Sequence, residues 1–367
     1  MDTNTFVCEH CGEEFPLDEA FRCGEDLLCR ECAGEHSILC DECRQRIYRD
    51  DDQGDAYHVL CEDCFEQHYT RCDNCGGLLR SCHAYHPAWN DQTLCETCYD
   101  EQEDSSPIHE YNYMPDLVFH GKGLRHFGVE LEIDCGGQSS ANAKQILEAA
   151  NHDAENLYIK TDGSLDDGME LVTHPMTLDY HMSEMPWATV LSEALRMYYL
   201  SHRAQTCGLH VHISRLAFGC TYEQQETAIA RLVFFVEKFW PELLRFSRRT
   251  QSQLNRWAAR YGMKLCPREV LDHAKNSCAG RYTAVNLTNS ETIEIRIFRG
   301  TLKLNTLLAT LQMVNHLCDV AVLLSDEALQ DMSWFDFLER ITEPELISYL
   351  KERRLYVNEP VEMREEA

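Results

Sequence analysis

Six Cys-x-x-Cys pairs stand within the first hundred residues: Cys8/Cys11, Cys29/Cys32, Cys40/Cys43, Cys61/Cys64, Cys72/Cys75 and Cys95/Cys98. The first pair of each unit recurs at 8, 40 and 72, a period of 32, and the second pairs follow a leucine in LLCREC, VLCEDC and TLCETC. This is a tandem repeat with the size of a small zinc module. A two-residue gap lets one tight turn aim two thiolates at a tetrahedral ion, and a second pair about 15–20 residues later closes the shell. A unit this short buries too little apolar surface to fold alone, so metal binding supplies its folding energy. The expectation is three repeats, at 1–34, 35–66 and 67–98, with about three structural Zn²⁺ ions. One ion per repeat is the favoured pairing. An interleaved pairing stays open, as do Cys23, His58, Cys82, His83 and His86 as substitute ligands.

The net charge of the 367 residues is −29, and it is unevenly spread. Residues 1–106 hold 26 Asp and Glu against 7 Arg and no Lys, while the rest of the chain holds 36 acids against 26 bases. Such a first third repels a phosphate backbone, so nucleic acid is not an expected partner, and a protein-docking role suits the zinc repeats better. The opening stretch MDTNTFVCEHCGEEF lacks the basic and apolar regions of a signal peptide. The most apolar helical stretch, 306–325, contains Gln312, Asn315, His316 and Asp319, too polar a set for a membrane span. A cytoplasmic protein with reduced thiols and no membrane contact is expected, which again favours zinc over disulfides.

Residues 99–117 mix acids, serines and two prolines without periodicity and read as a linker. From 118 to about 355 an ordinary α+β pattern takes over. Strands are expected at 126–134, 157–161, 168–173, 208–214, 282–288 and 292–299. Helices are expected at 140–151, 178–201, 222–246, 250–261, 267–276 and 304–324, with further C-terminal helices. This arrangement suits a sheet covered by helices on one face, which leaves the other face for polar chemistry.

The strands themselves carry that chemistry. In HFGVELEID, Glu130, Glu132 and Asp134 oppose a row of Phe127, Val129, Leu131 and Ile133. In GMELVTHP, Glu170 stands between Met169 and Leu171; in GLHVHIS, His210 and His212 share a face; in TIEIRIFRG, Glu294 and Arg296 do. One such strand is an unremarkable amphipathic edge, but four together point to a hard divalent cation, Mg²⁺ or Mn²⁺, with an arginine suited to phosphate. The row of carboxylates repels itself without metal, so removing one is expected to leave stability unchanged or raised. No Walker loop, His-Glu-x-x-His helix or Gly-x-Ser-x-Gly elbow is present. Cys207 as a nucleophile is disfavoured, because single scattered thiols are more often buried and inert.

The ordered set FGVELEID, KTDGSL…GMELVTHP, CGLHVHIS and RYTAVNL…TIEIRIFRGTL resembles the amidoligase family, a branch of the carboxylate–amine ligases. The resemblance covers about residues 118–330 and omits the zinc repeats. It implies a glutamine-synthetase or glutamate–cysteine-ligase-like sheet. It also implies an ATP-dependent carbon–nitrogen ligase that forms an amide through an acyl phosphate, using Mg²⁺ or Mn²⁺. Carried over, Glu130, Glu132, Glu170, His210 and Glu294 bind metal and Arg296 binds phosphate. His212 lies close by, Asp162 is a further metal-site carboxylate, and Arg281 and Arg299 contact nucleotide or substrate. The implied partners are a carboxylate and an amine, free or on a peptide or protein. The competing reading is a zinc-scaffolded interaction protein whose ligase-like domain has lost activity.

Overall fold

Three-residue strands are the currency of the N-terminal region in this computed structural model, which describes residues 5–87, 91–278 and 280–356. The chain divides into two units, Met1–Ser105 and Ser106–Ala367. Among the described residues of the first unit, four antiparallel hairpins pair Thr5–Val7 with Glu14–Pro16, Phe21–Cys23 with Asp26–Leu28, Ser37–Leu39 with Arg46–Tyr48, and Tyr69–Arg71 with Leu78–Arg80. Helices Arg30–His36, Glu62–His68 and Glu96–Ser105 each start directly after the third cysteine of a set. The last of these takes in residues 99–105, the start of the stretch that reads as a linker. Buried apolar surface is sparse: in the third repeat Leu94 alone joins Cys72 and Cys98 in the fully buried cluster.

The second unit is built on one antiparallel sheet. Its strands are β1 (Phe127–Ile133), β2 (Leu157–Lys160), β3 (Met169–Thr173), β4 (Gly208–Ser214), β5 (Val285–Asn286) and β6 (Thr292–Arg299), in the order β2-β3-β1-β4-β6-β5. The expected strand at 282–288 shrinks to two residues because Thr283 bridges to Ala259 instead of staying in the sheet. Phe127, Val129, Leu131, Ile133, Leu209, Val211, Ile213, Ile293 and Ile295 fill the apolar face and are fully buried against the helices.

Those helices are α1 (Ser140–Ala150), α2 (Leu178–Ser183), α3 (Trp187–Arg196), α4 (Tyr222–Lys238), α5 (Trp240–Ser247), α6 (Gln251–Trp257), α7 (Pro267–Lys275) and α8 (Leu304–Leu323). Three short ones follow: α9 (Asp326–Asp331), α10 (Trp334–Leu338) and α11 (Pro344–Glu352). The expected helices at 178–201 and 222–246 are each two. Pro186 caps α3 and Pro241 sits in the first turn of α5, and a ring without an N–H breaks the ladder at both places.

α8 is long and apolar enough to cross a membrane, yet 72% of that stretch is buried inside the protein. Its polar residues are held within the unit. Gln312 donates to Glu345 at 2.9 Å, His316 lies 2.8 Å from Glu343, and Arg125 donates to Asn315 and Asp319 at 2.8 and 2.6 Å.

One irregularity shapes the polar face. Val211 pairs with Ile295 but Leu209 pairs with Phe298, so β6 carries one extra residue between them. A bulge of this kind resets the alternation of side chains. Ile297 and Phe298 are consequently both buried, and Arg299 stands opposite Gly208.

Candidate metal centres and active site

In the first unit the thiols gather as Cys8/Cys11/Cys29/Cys32, Cys40/Cys43/Cys61/Cys64 and Cys72/Cys75/Cys95/Cys98, with the ligand atoms of each set within 4.8 Å of one another. Cys43 and Cys61 Sγ are 3.7 Å apart, and Cys75 and Cys95 Sγ 3.8 Å. A tetrahedron with zinc–sulfur bonds of about 2.3 Å has edges of about 3.8 Å, whereas a disulfide needs about 2.05 Å. The donor sets thus fit three zinc ions, one per repeat, and not an interleaved pairing. Cys23, His58, Cys82, His83 and His86 fall outside all three sets. Burial works to raise the thiols of Cys8, Cys40 and Cys72, but backbone N–H donors overcome it and hold them at about 6, 7 and 6. The turn is therefore shaped for a thiolate before any metal arrives.

The sheet of the second unit assembles a different kind of site. Register places Glu170 opposite Glu132, His210 opposite Glu130, and His212 opposite Glu294. Six charged or imidazole side chains from four strands thereby form a single patch. Two ligand groups emerge, Glu130/His210/Glu294 and Glu132/Glu170/His210, and His210 belongs to both. Its Nδ1 lies 3.3 Å from Glu130 and 3.6 Å from Glu294, while Nε2 faces Glu132 at 3.8 Å. His212 Nε2 is 3.1 Å from Glu130 Oε1, but it is buried without an aligned hydrogen bond. Asp162 lines the same cavity outside both groups and accepts from the Ser164 N–H at 2.6 Å.

Far from being open, this face is roofed. Glu132, Glu170, His210 and Glu294 are each under 5% exposed. A cavity of about 60 Å³ remains, lined by Glu132, Asp162, Arg249, Trp257, Arg281 and Arg296 among others. Arg281 reaches across to the hydroxyls of Tyr111 and Tyr282, and Arg256 lies over the Trp257 ring. The roof thus presents cations and aromatic rings to a floor of carboxylates. Arg299, shifted by the bulge, lies outside this cavity among other arginines.

Electrostatics divides the carboxylates. Burial works to raise Glu130, yet His212 and His210 hold it well below the usual carboxylate range. Glu170 goes the other way: burial, then the charge of Glu130, push it well above that range, and Lys160 at 3.7 Å offsets this only in part. The expected self-repulsion therefore falls on Glu170, while Glu130 serves as counter-ion to the histidines. Asp134, grouped with them by sequence, leaves the row. It is fully buried and accepts from the N–H groups of Cys135, Asp166 and Asp167 at 2.8, 3.1 and 2.7 Å and from the Thr206 hydroxyl at 2.7 Å. Its task is to clamp two loops.

Arg296 donates to Glu294, and its Nε is buried without a partner. Asn286 donates to the other oxygen of Glu294 at 2.8 Å and is itself fixed by Thr288 at 2.8 Å. Gly208 lets these side chains approach closely: a Cβ there would stand 2.5 Å from an Arg249 nitrogen and 2.6 Å from His210 Nε2, so both tips would have to shift. Sequence reasoning missed Arg249, Asn286 and Lys160. Lys160 and Asn286 stand inside the motifs KTDGSL and RYTAVNL, whereas Arg249 sits in an irregular turn with no periodicity to mark it. Cys207 is buried and its thiol is pushed up to about 12, as an inert thiol should be. The buried mixture of carboxylates, an imidazole Nε2 without an aligned hydrogen bond and a half-satisfied arginine fits hard divalent cations beside an anion.

No family model matches the chain, and no curated protein matches it. Among solved structures it is similar to a bifunctional glutathione synthetase from Pasteurella multocida, with 14% identity and a TM-score of 0.39. That likeness covers 63% of this chain and 46% of the synthetase, so the chain spans less than half of its length.

Proposed function

We propose that residues 106–356 form an ATP-dependent carboxylate–amine ligase. The observation that carries this reading is His210 shared by two buried carboxylate groups, with Arg296 beside them. These residues would hold Mg²⁺ or Mn²⁺, which would supply positive charge to offset that of the ATP phosphates. Glu130, His210 and Glu294 form one cradle, and Glu132, Glu170 and His210 the other. Arg296 turns from Glu294 to the transferring phosphoryl group once that carboxylate is engaged, and its guanidinium stabilises the developing charge. A substrate carboxylate oxygen attacks the γ-phosphorus, the bond to ADP breaks, and an acyl phosphate forms. An amine nitrogen then attacks the acyl carbon, loses a proton and expels phosphate, leaving an amide. Asn286 and Lys160 position Glu294 and Glu170.

The zinc repeats serve in this proposal as a docking module for a basic partner, possession of −19 in residues 1–106 being the attraction. A basic peptide should then bind the full chain with an affinity that falls steeply between about 50 and 200 mM salt, and salt-insensitive binding would remove that role. The ligase itself is tested by incubating the full chain with ATP and Mg²⁺ in cell extract, followed by mass spectrometry for new amide-linked products. Glu130→Ala is the control. Products formed by the wild type alone support the ligase. Failure to bind ATP in the presence of Mg²⁺ favours the inactive scaffold.

A further inference from the structure

A second cavity, of about 570 Å³, lies beside the metal face and is lined by Arg245, Arg248, Arg249, Arg299, Arg353 and His202, with Pro241 and Leu244 as its apolar part. Its volume falls within the range of small-molecule sites, about 300–1,000 Å³. Five guanidinium groups share one wall of a chain whose net charge is −29. Among the described residues none of these five arginines has a carboxylate within ion-pair distance.

Three of the five donate to backbone carbonyls. Arg248 donates to Gly300, Arg299 to Arg248, and Arg353 to Arg245 at 3.3, 3.5 and 2.9 Å. Those carbonyls fix three side chains but carry no full negative charge; among the described residues, Glu132 is the carboxylate whose charge acts on Arg249. Burial, then the charge of Arg248, lowers Arg299, and burial followed by Arg248 lowers His202. Two backbone features bring these side chains together. Arg248 adopts the left-handed conformation, φ 62°, at the C-terminal cap of α5, and Arg299 reaches the wall only through the bulge in β6.

Arg249 connects the two cavities. It lines the arginine cavity, the acid–histidine cavity, and a narrow one between them that includes Thr206, Gln253 and Trp257. We infer that the arginine cavity holds the acid substrate, a molecule with two or more carboxylates on an aliphatic frame, such as an acidic peptide. This rests on the ligase reading and names the substrate class of that site. The phosphates are already provided for by the metal cradles and Arg296. Guanidinium forks match carboxylates two oxygens at a time. Pro241 and Leu244 suit the methylene groups of such a frame, and Arg249 guides one carboxylate toward the metal face.

Calorimetric titration of the full chain, without ATP or Mg²⁺, tests this separately from catalysis. The probes are the dipeptide Glu-Glu, its neutral counterpart Gln-Gln, and inorganic triphosphate. Glu-Glu should bind saturably and at least about tenfold more tightly than Gln-Gln. Arg248→Gln should weaken it about tenfold or more, Arg248→Lys by less, and the exposed Arg268→Gln, which lines none of these cavities, should leave it unchanged. Removing one of several like charges should not lower the thermal midpoint; if Arg248→Gln unfolds, the exposed Arg245→Gln replaces it. Equal binding of Glu-Glu and Gln-Gln, or no loss in the arginine variants, overturns the proposal. Triphosphate binding with no Glu-Glu binding overturns it as well, and makes the cavity a phosphate site.

Discussion

The two units gather candidate metal ligands on opposite physical terms. In the first, the cysteines are themselves much of the buried interior: among the described residues, Cys40, Cys61 and Cys64 of the second repeat form a buried cluster with Leu60 and with Tyr69 from the start of the third. In the second, the carboxylates and histidines ride on strands whose other face is buried in a large apolar core. Ligands that make the fold cannot spare their metal. Ligands that are carried by a fold can exchange theirs, and a site that turns over needs that freedom.

The largest expected effect breaks this comparison directly. Chelating zinc from the full chain should abolish hydrogen-exchange protection in 5–87 and 91–105 and leave β1, β3, β4 and β6 protected, because structural zinc contributes about 10–16 kcal/mol to small modules. Cys40→Ser should lower the zinc content by one ion of about three, with loss of order confined to the middle repeat. Equal loss of protection in both units would refute the division.

Next in size are changes to the acid–histidine face. Glu294→Gln and Arg296→Lys should each reduce ATP turnover about a hundredfold or more without unfolding the sheet, since a point ammonium does not reproduce the guanidinium fork. Retained turnover in both would remove these residues from the chemistry.

Stability sharpens the contrast further. Asp134→Ala should cost about 2–3 kcal/mol by orphaning the N–H groups of Cys135, Asp166 and Asp167, measured by urea denaturation. Glu170→Gln should act oppositely and stabilise the metal-free chain by about 1–2 kcal/mol at neutral pH. The folded pKa of Glu170 lies above its unfolded value. Its contribution is therefore fully present below the unfolded pKa and is lost as pH rises through the folded one. Metal-free wild type should lose stability over that upward window, whereas the glutamine variant should not. Mg²⁺ should abolish the difference and release a proton on binding. A pH-independent gap between the two proteins would contradict this assignment.

Much of this was legible from residue order alone. The period of 32 reveals the three four-cysteine repeats, because a two-residue gap between thiolates has few uses other than a metal turn. The alternation in β1, β4 and β6 reveals which side chains share a face, because a strand has a period of two. Long-range register is not written there. Nothing in FGVELEID states that Glu130 meets His210 while Asp134 turns away to clamp two loops. The extra residue in β6 is likewise invisible, and with it the transfer of Arg299 to a second cavity. Arg249 escaped for the same reason: it lies in a turn between α5 and α6, where position is set by tertiary packing and not by a repeat.

The central claim is that the buried acid–histidine face holds divalent cations. Titration of the zinc-loaded full chain with Mn²⁺, followed by electron paramagnetic resonance, addresses it most directly. Wild type should bind about two Mn²⁺ per chain, and His210→Ala, which removes the ligand common to both groups, should lose both sites. Identical Mn²⁺ binding by wild type and variant, or none by wild type, would contradict the account.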